Sequence, residues 1–436
     1  MPPASAVSRP APDARGVAVL VLLLGGLTAL GPFTVDAYLP AFPRIADDLA
    51  SSESGVQLTL TAALVGLALG QLLVGPLSDR FGRRRPLLVG GAAYTVASLA
   101  CAVAPSVGLL TVARVVQGLA GAAGVVIARA VVRDLYSGVA AVRFFSRLML
   151  VSGLAPVLAP VLGSLVLQVA TWRQVFVGLA GLGALMLLAV TVLYRETLPV
   201  ERRTTGGVQA TGRILRLLLR DRFLVGYALT AGLAFAAMFA YIAGSPFVVQ
   251  EVYGAGSGVF AAMFATNALG LMAMGQLNAR LVGRFAPRRI LTVALVVQAL
   301  AGLFLLAVVL FDPPGGRGPG LAAVLPALFV VVASLGGVLP NTTALALARH
   351  PGTAGSASAL LGTLQFLVGA LVAPLTGGGG AVPLGVVVAA TAAGALAVLL
   401  VLLARRDDAP GPVADPGRTL SAEPPRPRPR SASAPR

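Results

Sequence analysis

Among the ionisable residues of this sequence, Asp36 is the one placed where a charge has most to do. It stands in Gly31-Pro-Phe-Thr-Val-Asp36-Ala-Tyr38-Leu-Pro40-Ala-Phe-Pro43, inside an apolar run, whereas Asp79, Asp134 and Glu251 fall at the ends of theirs. A carboxyl withdrawn from water can exchange a proton as its surroundings change. Arg114, in Arg114-Val-Val-Gln117-Gly118, supplies a counter-charge, because an arginine in a hydrocarbon core is costly unless it finds a partner or water. At 1.5 Å per residue, Asp36 stands about 28 Å above Val17, and Arg114 about 9 Å below the outer start of its run. The two can therefore meet in the outer half of a central cavity. A neighbouring guanidinium holds a carboxylate ionised and its withdrawal lets a proton return, which would make the pair a proton switch. The other reading is an Asp36 at the membrane boundary, bathed in water.

Other chemistries lack their residues. The one cysteine, Cys101, lies in an apolar run, which excludes an intramolecular disulfide and a multi-cysteine metal site. The one histidine, His350, sits beside Arg349 and Pro351 in a predicted loop. A zinc site or a catalytic triad would lack partners there, so no metal, cofactor or enzymatic step is expected. All 33 basic residues are arginine, so a phosphate-binding loop that needs lysine is ruled out. The net charge of +17 would suit a nucleic-acid binder, but the arginines fall between apolar runs and in the C-terminal tail. A nucleic-acid binder gathers them on one soluble face.

The elements that must position these residues follow from a composition that is 57% hydrophobic and 11% charged, against roughly a quarter charged in a soluble domain. A spanning helix needs about 20 apolar residues. About twelve runs meet this: Val17–Leu39, Val56–Leu77, Pro86–Val103, Gly108–Val132, Phe144–Val166, Val175–Tyr194, Phe223–Val249, Gly258–Val282, Ile290–Phe311, Leu321–Ala348, Ser356–Leu375 and Val382–Ala404. Alternate loops are rich in arginine, such as Arg80, Arg83, Arg84 and Arg85, then Arg280, Arg284, Arg288 and Arg289. The positive-inside rule then predicts a multi-pass protein of a bacterial inner membrane with both termini cytoplasmic. The expected organisation is a cytoplasmic segment 1–16, a six-helix half 17–194, a cytoplasmic connection 195–222, a second six-helix half 223–404 and a disordered tail 405–436. Residues 213–222 read as an amphipathic surface helix with Ile214, Leu217 and Leu218 toward lipid. The halves echo one another: Gly75, Leu77, Arg80 and Arg84 recur as Gly275, Leu277, Arg280 and Arg284, and Ala37, Tyr38 and Pro43 as Ala240, Tyr241 and Pro246.

After the second run the chain reads Gly75-Pro-Leu-Ser-Asp79-Arg80-Phe-Gly82-Arg83-Arg84-Arg85. Glycines here allow a tight turn and close helix approach, while Asp79 can cap or pair across the interface between halves. This stretch resembles the signature loop of the major facilitator superfamily. Arg114 to Gly118 is similar to a motif of that family's twelve-helix drug:proton antiporters. So is Gly153-Leu-Ala-Pro156-Val-Leu-Ala-Pro160-Val-Leu-Gly163, which has Ala155 where glycine is usual. The ends of the first and fourth runs, the latter with Arg133-Asp134-Leu-Tyr136, resemble the bicyclomycin/chloramphenicol-resistance subfamily. The resemblance implies an all-α membrane protein of two pseudo-symmetric six-helix halves that exports drug-like molecules in exchange for protons, as a monomer.

The expected cavity wall is Tyr38, Gln117, Phe235, Met238, Phe239, Tyr241, Asn267, Asn341 and Gln365, although core packing would serve the aromatic and Met residues equally well. Asp134 is expected to latch Arg83 or Arg84, and Arg129 to anchor the inner boundary. A proton-coupled importer, or an exporter of a metabolite, on the same fold is the alternative, since fold does not fix substrate.

Overall fold

The structure, a computed structural model, describes residues 14–136, 138–203, 216–311, 320–348, 354–377 and 380–404. Within them run twelve long helices: α1 (Ala14–Asp36), α2 (Glu53–Phe81), α3 (Arg84–Ala102), α4 (Val107–Leu135), α5 (Gly138–Val169), α6 (Trp172–Leu193), α7 (Arg222–Phe247), α8 (Ser257–Leu281), α9 (Pro287–Phe311), α10 (Gly320–Leu347), α11 (Ala354–Val372) and α12 (Val382–Ala404). In hydrocarbon every backbone N–H and C=O must be satisfied within the protein, and a helix does this inside one segment. Ten helices have stretches long and apolar enough to cross a bilayer, while α5 and α11 carry the shorter apolar stretches Leu154–Val169 and Leu360–Thr376.

Several helices overrun the apolar runs that announce them, because polar residues cap their ends. Ser52 accepts from Gly55 N at 3.2 Å ahead of α2, and Ser106 from Leu109 N at 3.4 Å ahead of α4. Asp221 accepts from Phe223 N at 2.9 Å ahead of α7. Each takes up one N–H that the first turn leaves free. By contrast α1 stops at Asp36, before the end of its run. Pro40 and Pro43 lack the N–H of a continuing helix, and the chain turns through Leu39–Ala41 into a short helix, Phe42–Asp48.

The neighbours repeat with a shift of six helices. In the first half α2 packs on α4, α3 on α4 and α6, and α1 on α4 and α5. In the second half α8 packs on α10, α9 on α10 and α12, and α7 on α10 and α11. The halves face each other through α2 against α11 and α5 against α8, a pairing that itself respects the repeat. Small residues set the closest approach. A Cβ on Gly118 would overlap the Ala63 carbonyl, and one on Gly66 the Val115 carbonyl, so α2 and α4 meet backbone to backbone.

The surface helix expected over 213–222 is corrected in part. Leu217 is exposed, but Leu218 is buried among Leu224, Ala228 and Ala346, because the chain bends there to enter α7. Ile214, His350 and the tail 405–436 lie outside the described residues.

Candidate functional site

The halves are joined at the end away from the arginine-rich loops. Three hydrogen bonds cross between them among the described residues: Gln57 to the Ala243 carbonyl at 3.2 Å, Thr61 to Ala370 at 2.8 Å and Gln250 to Pro40 at 3.4 Å. Phe42 adds a tilted ring contact with Phe247 at 5.9 Å. Gly377 lies so close to α2 that a Cβ there would crowd the Ser54 hydroxyl. Below this closure the halves part around a cavity of about 580 Å³. It runs from Asp36 past Phe235 and Gln365 to Arg129, Thr343 and Ser358, the last three near the arginine-rich ends of α4, α10 and α11.

Asp36 is 5% exposed and faces this cavity from the last turn of α1. It makes no ion pair or hydrogen bond among the described residues. The expected contact with Arg114 is therefore not made in this structure. Arg114 is fully buried inside the first half. Its Nη1 donates to Gln117 Oε1 at 2.6 Å, and its guanidinium lies 4.2 Å from the centre of the Tyr38 ring and 5.7 Å from that of Phe176. Gln117 passes the network on to Ser98 Oγ at 2.7 Å, and Tyr38 shares a hydrogen bond with Thr59 at 3.1 Å. Among the described residues Arg114 Nε and Nη2 have no acidic partner. The charge is held by aromatic faces rather than by an acid.

The cavity wall takes some of the expected residues and not others. Phe235, Met238, Phe239, Tyr241, Asn267 and Gln365 line it. Phe235, Phe239 and Phe366 form a three-ring cluster with centroids 5.0 to 6.1 Å apart. Tyr38 and Gln117 do not line it, because both turn into the first half to hold Arg114. Asn341 is also elsewhere. It donates to Asn278 Oδ1 at 2.6 Å and to the Gly337 carbonyl at 2.7 Å, tying α8 to α10. Arg129, expected to anchor the inner boundary, lines the cavity near the arginine-rich end of α4. Gln71 was also missed. It carries the same signal as Asn267, an amide inside an apolar run.

At the arginine-rich end the loop between α2 and α3 is knotted to its own half. Arg83, 5% exposed, donates to Asp134 Oδ2 at 2.9 Å, to Ser78 at 2.8 Å and to Asp79. Asp79 is thus paired locally and not across the halves, because Arg83 one turn on reaches it first. Arg80 is exposed over the Phe81 ring, and Arg84 donates to the Thr191 carbonyl at 2.8 Å. Gly82 closes the loop at φ +86°, a left-handed conformation that glycine adopts freely. Beyond the expected set, Glu196 reaches in from the chain after α6. Its carboxylate accepts from the N–H groups of Arg83 at 2.9 Å, Arg84 at 3.1 Å and Leu198 at 3.0 Å. Burial alone would raise this carboxyl, but those N–H groups and the Arg203 guanidinium hold it below its ordinary value of 4.5. Its only sequence signal is an acid placed directly after an apolar run at the basic end.

In α5, Pro156 and Pro160 lie inside the helix, each removing a backbone hydrogen bond. Pro156 borders the cavity. Gly163 abuts the Ala37 carbonyl so closely that a Cβ would overlap it, which seats α5 against the turn that follows Asp36. Gly153 and Gly75 are helical positions in α5 and α2.

The sequence profile of the Major Facilitator Superfamily matches residues 22–374. The chain is 40% identical over 384 residues to the uncharacterized MFS-type transporter YdgK of Bacillus subtilis, covering 87% of this chain and 94% of that one. It is 34% identical over 361 residues to the bicyclomycin resistance protein homolog of Haemophilus influenzae, covering 82% and 88%. The fold matches the crystal structure of a D-xylose–proton symporter with a TM-score of 0.67 at 17% identity, over 88% of this chain and 96% of that one.

Proposed function

The chain belongs to the Major Facilitator Superfamily and is a transporter rather than an enzyme, and on that premise we propose that it exports small amphipathic drug-like molecules in exchange for protons. The observation that carries this reading is the cavity itself. It is closed at one end by contacts between halves, reaches toward the other, and among the described residues holds Asp36 as its only acid. Such a site suits alternating access, in which the halves rock about a fixed centre. The arginine-rich end is taken as cytoplasmic, with both termini and the connection between the halves on that side of a bacterial inner membrane. The state described is then inward-facing. A relative named for bicyclomycin resistance supports a drug-like cargo.

In this reading Asp36 carries the exchanged proton. A substrate entering from the cytoplasm displaces it, and the outward-facing form reloads it. Arg114, kept apart from Asp36 here, approaches it as α1 shifts against α4 and drives the proton off. Glycines and prolines of α5, with the Asp79–Arg83–Asp134 knot, stiffen the half that makes this movement. The protein acts as a monomer, because one chain supplies both halves of the cavity.

The test is drug susceptibility of a pump-deficient bacterial host expressing the protein, across a panel that includes amphenicols and bicyclomycin, with and without a protonophore. Resistance to at least one compound, abolished by the protonophore, is expected. Asp36→Asn should insert in the membrane and lose proton-driven export. Normal export by that variant would remove Asp36 from the coupling, and no resistance at all would favour import or a metabolite cargo.

A further inference from the structure

The cavity holds a second charge that proton exchange leaves idle. Among the described residues Arg129 is its only lining cation. It makes no ion pair and no hydrogen bond among the described residues. The next acid on its helix, Asp134, is committed to Arg83. The residue one turn on, Arg133, is a like charge and offers it no partner. An exposed guanidinium at the open end of a cavity, without a partner, is a ready receptor for an anion, which it can hold through paired N–H donors.

Asp36 cannot be that anion in this arrangement. Gly31 of α1 faces Val125 of α4. Asp36 lies five residues beyond that contact toward the closed end, and Arg129 four residues beyond it toward the basic end, a separation of about 14 Å along the axis. The carboxyl and the guanidinium therefore stand at opposite ends of the cavity, too far apart to pair. Between them lies the Phe235, Phe239 and Phe366 cluster. Near the acidic end, the Tyr241 hydroxyl and the Asn267 amide lie beside one another on the cavity wall. Both can donate.

We propose that Arg129 anchors an anionic group on the transported molecule, so that the preferred cargo is an amphipathic monoanion. Its carboxylate or sulfonate sits on Arg129, its aromatic or aliphatic body lies along the phenylalanines, and an acceptor such as a carbonyl meets Tyr241 and Asn267. This inference rests on the export reading for its direction of transport, but the specificity belongs to the cavity alone.

Binding to purified protein in lipid nanodiscs, with no proton gradient, tests it separately from export. Nalidixate is a suitable probe, an aromatic carboxylate with a ring carbonyl, and its neutral carboxamide is the control. Wild type should bind nalidixate about tenfold or more tightly than the carboxamide, as a charge-assisted hydrogen bond would give. Arg129→Gln should abolish that preference by weakening nalidixate alone, and Arg129→Lys should keep part of it. Equal binding of the two probes by wild type overturns the proposal, as does binding of neither. Equal weakening of both by Arg129→Gln would assign the arginine to holding the cavity's shape and also overturn it. Anion preference without export in the host would sink the export reading and leave this specificity standing.

Discussion

Arg83 and Asp134 join the loop between α2 and α3 to the last turn of α4 through a hydrogen bond of 2.9 Å, with the guanidinium almost wholly out of contact with solvent. An ion pair of this kind is costly to break by halves, since the remaining charge stays buried. Asp134→Asn is expected to destabilise the protein by about 2 kcal/mol, less than a fully buried pair because Asp79 still holds Arg83. Thermal unfolding in detergent measures it, with the exposed Arg85→Gln as control. Equal effects from the two variants would deny the pair its role.

Glu196 supplies a pH-dependent tie between the chain after α6 and the start of α3. Its carboxyl lies below 4.5 in the folded protein, so its contribution is present above that value and disappears as pH falls through the folded one. Glu196→Gln should therefore unfold before wild type near neutral pH, with the two curves converging as the pH drops below 4.5. A gap that stays constant with pH would show that the carboxylate charge is not what docks the segment.

Arg114 allows folding and transport to be separated. Its charge is buried with no acidic partner among the described residues, so an apolar replacement of similar length removes a desolvation cost along with the charge. Arg114→Met should unfold at the same temperature as wild type or higher, yet fail to export. A large loss of stability would instead make the arginine a structural prop between Tyr38 and Gln117.

The closed end can be locked covalently. Ser54 and Gly377 approach across the halves closely enough for paired cysteines to bridge, and the native Cys101 is buried away from oxidant. Ser54→Cys combined with Gly377→Cys should form a disulfide on mild oxidation, and export should stop until reductant is added. Rapid export by the oxidised, cross-linked protein would mean that this end need not open.

The sequence made the helices legible because a bilayer imposes one length and one polarity on every span, which is why Val107 to Leu135 could be read to within a few residues. It singled out Phe235, Met238, Phe239 and Tyr241 on one stretch of α7 without deciding between cavity lining and core packing, and these residues do both. It could not say which way an isolated polar side chain turns. Gln117 and Asn341 looked like Asn267 and Gln365 on paper, but a partner from a neighbouring helix, Ser98 for one and Asn278 for the other, drew them away from the cavity. For Arg129 the depth was legible but not the direction, because depth along a helix says nothing about azimuth. Glu196 was hidden because its partners are backbone N–H groups, which carry no residue signature.

The backbone-to-backbone seam between α2 and α4 has one last consequence. Side chains between helices act as springs, yielding by rotamer changes when one element is pushed, but at Gly66 and Gly118 there is no spring to compress. A push delivered to one end of that pair must emerge at the other with little lost on the way. The first half should thus behave as a lever whose arm is α2 and α4 together, so that an event near the basic loops is felt at Gln57 without a chain of intermediate adjustments.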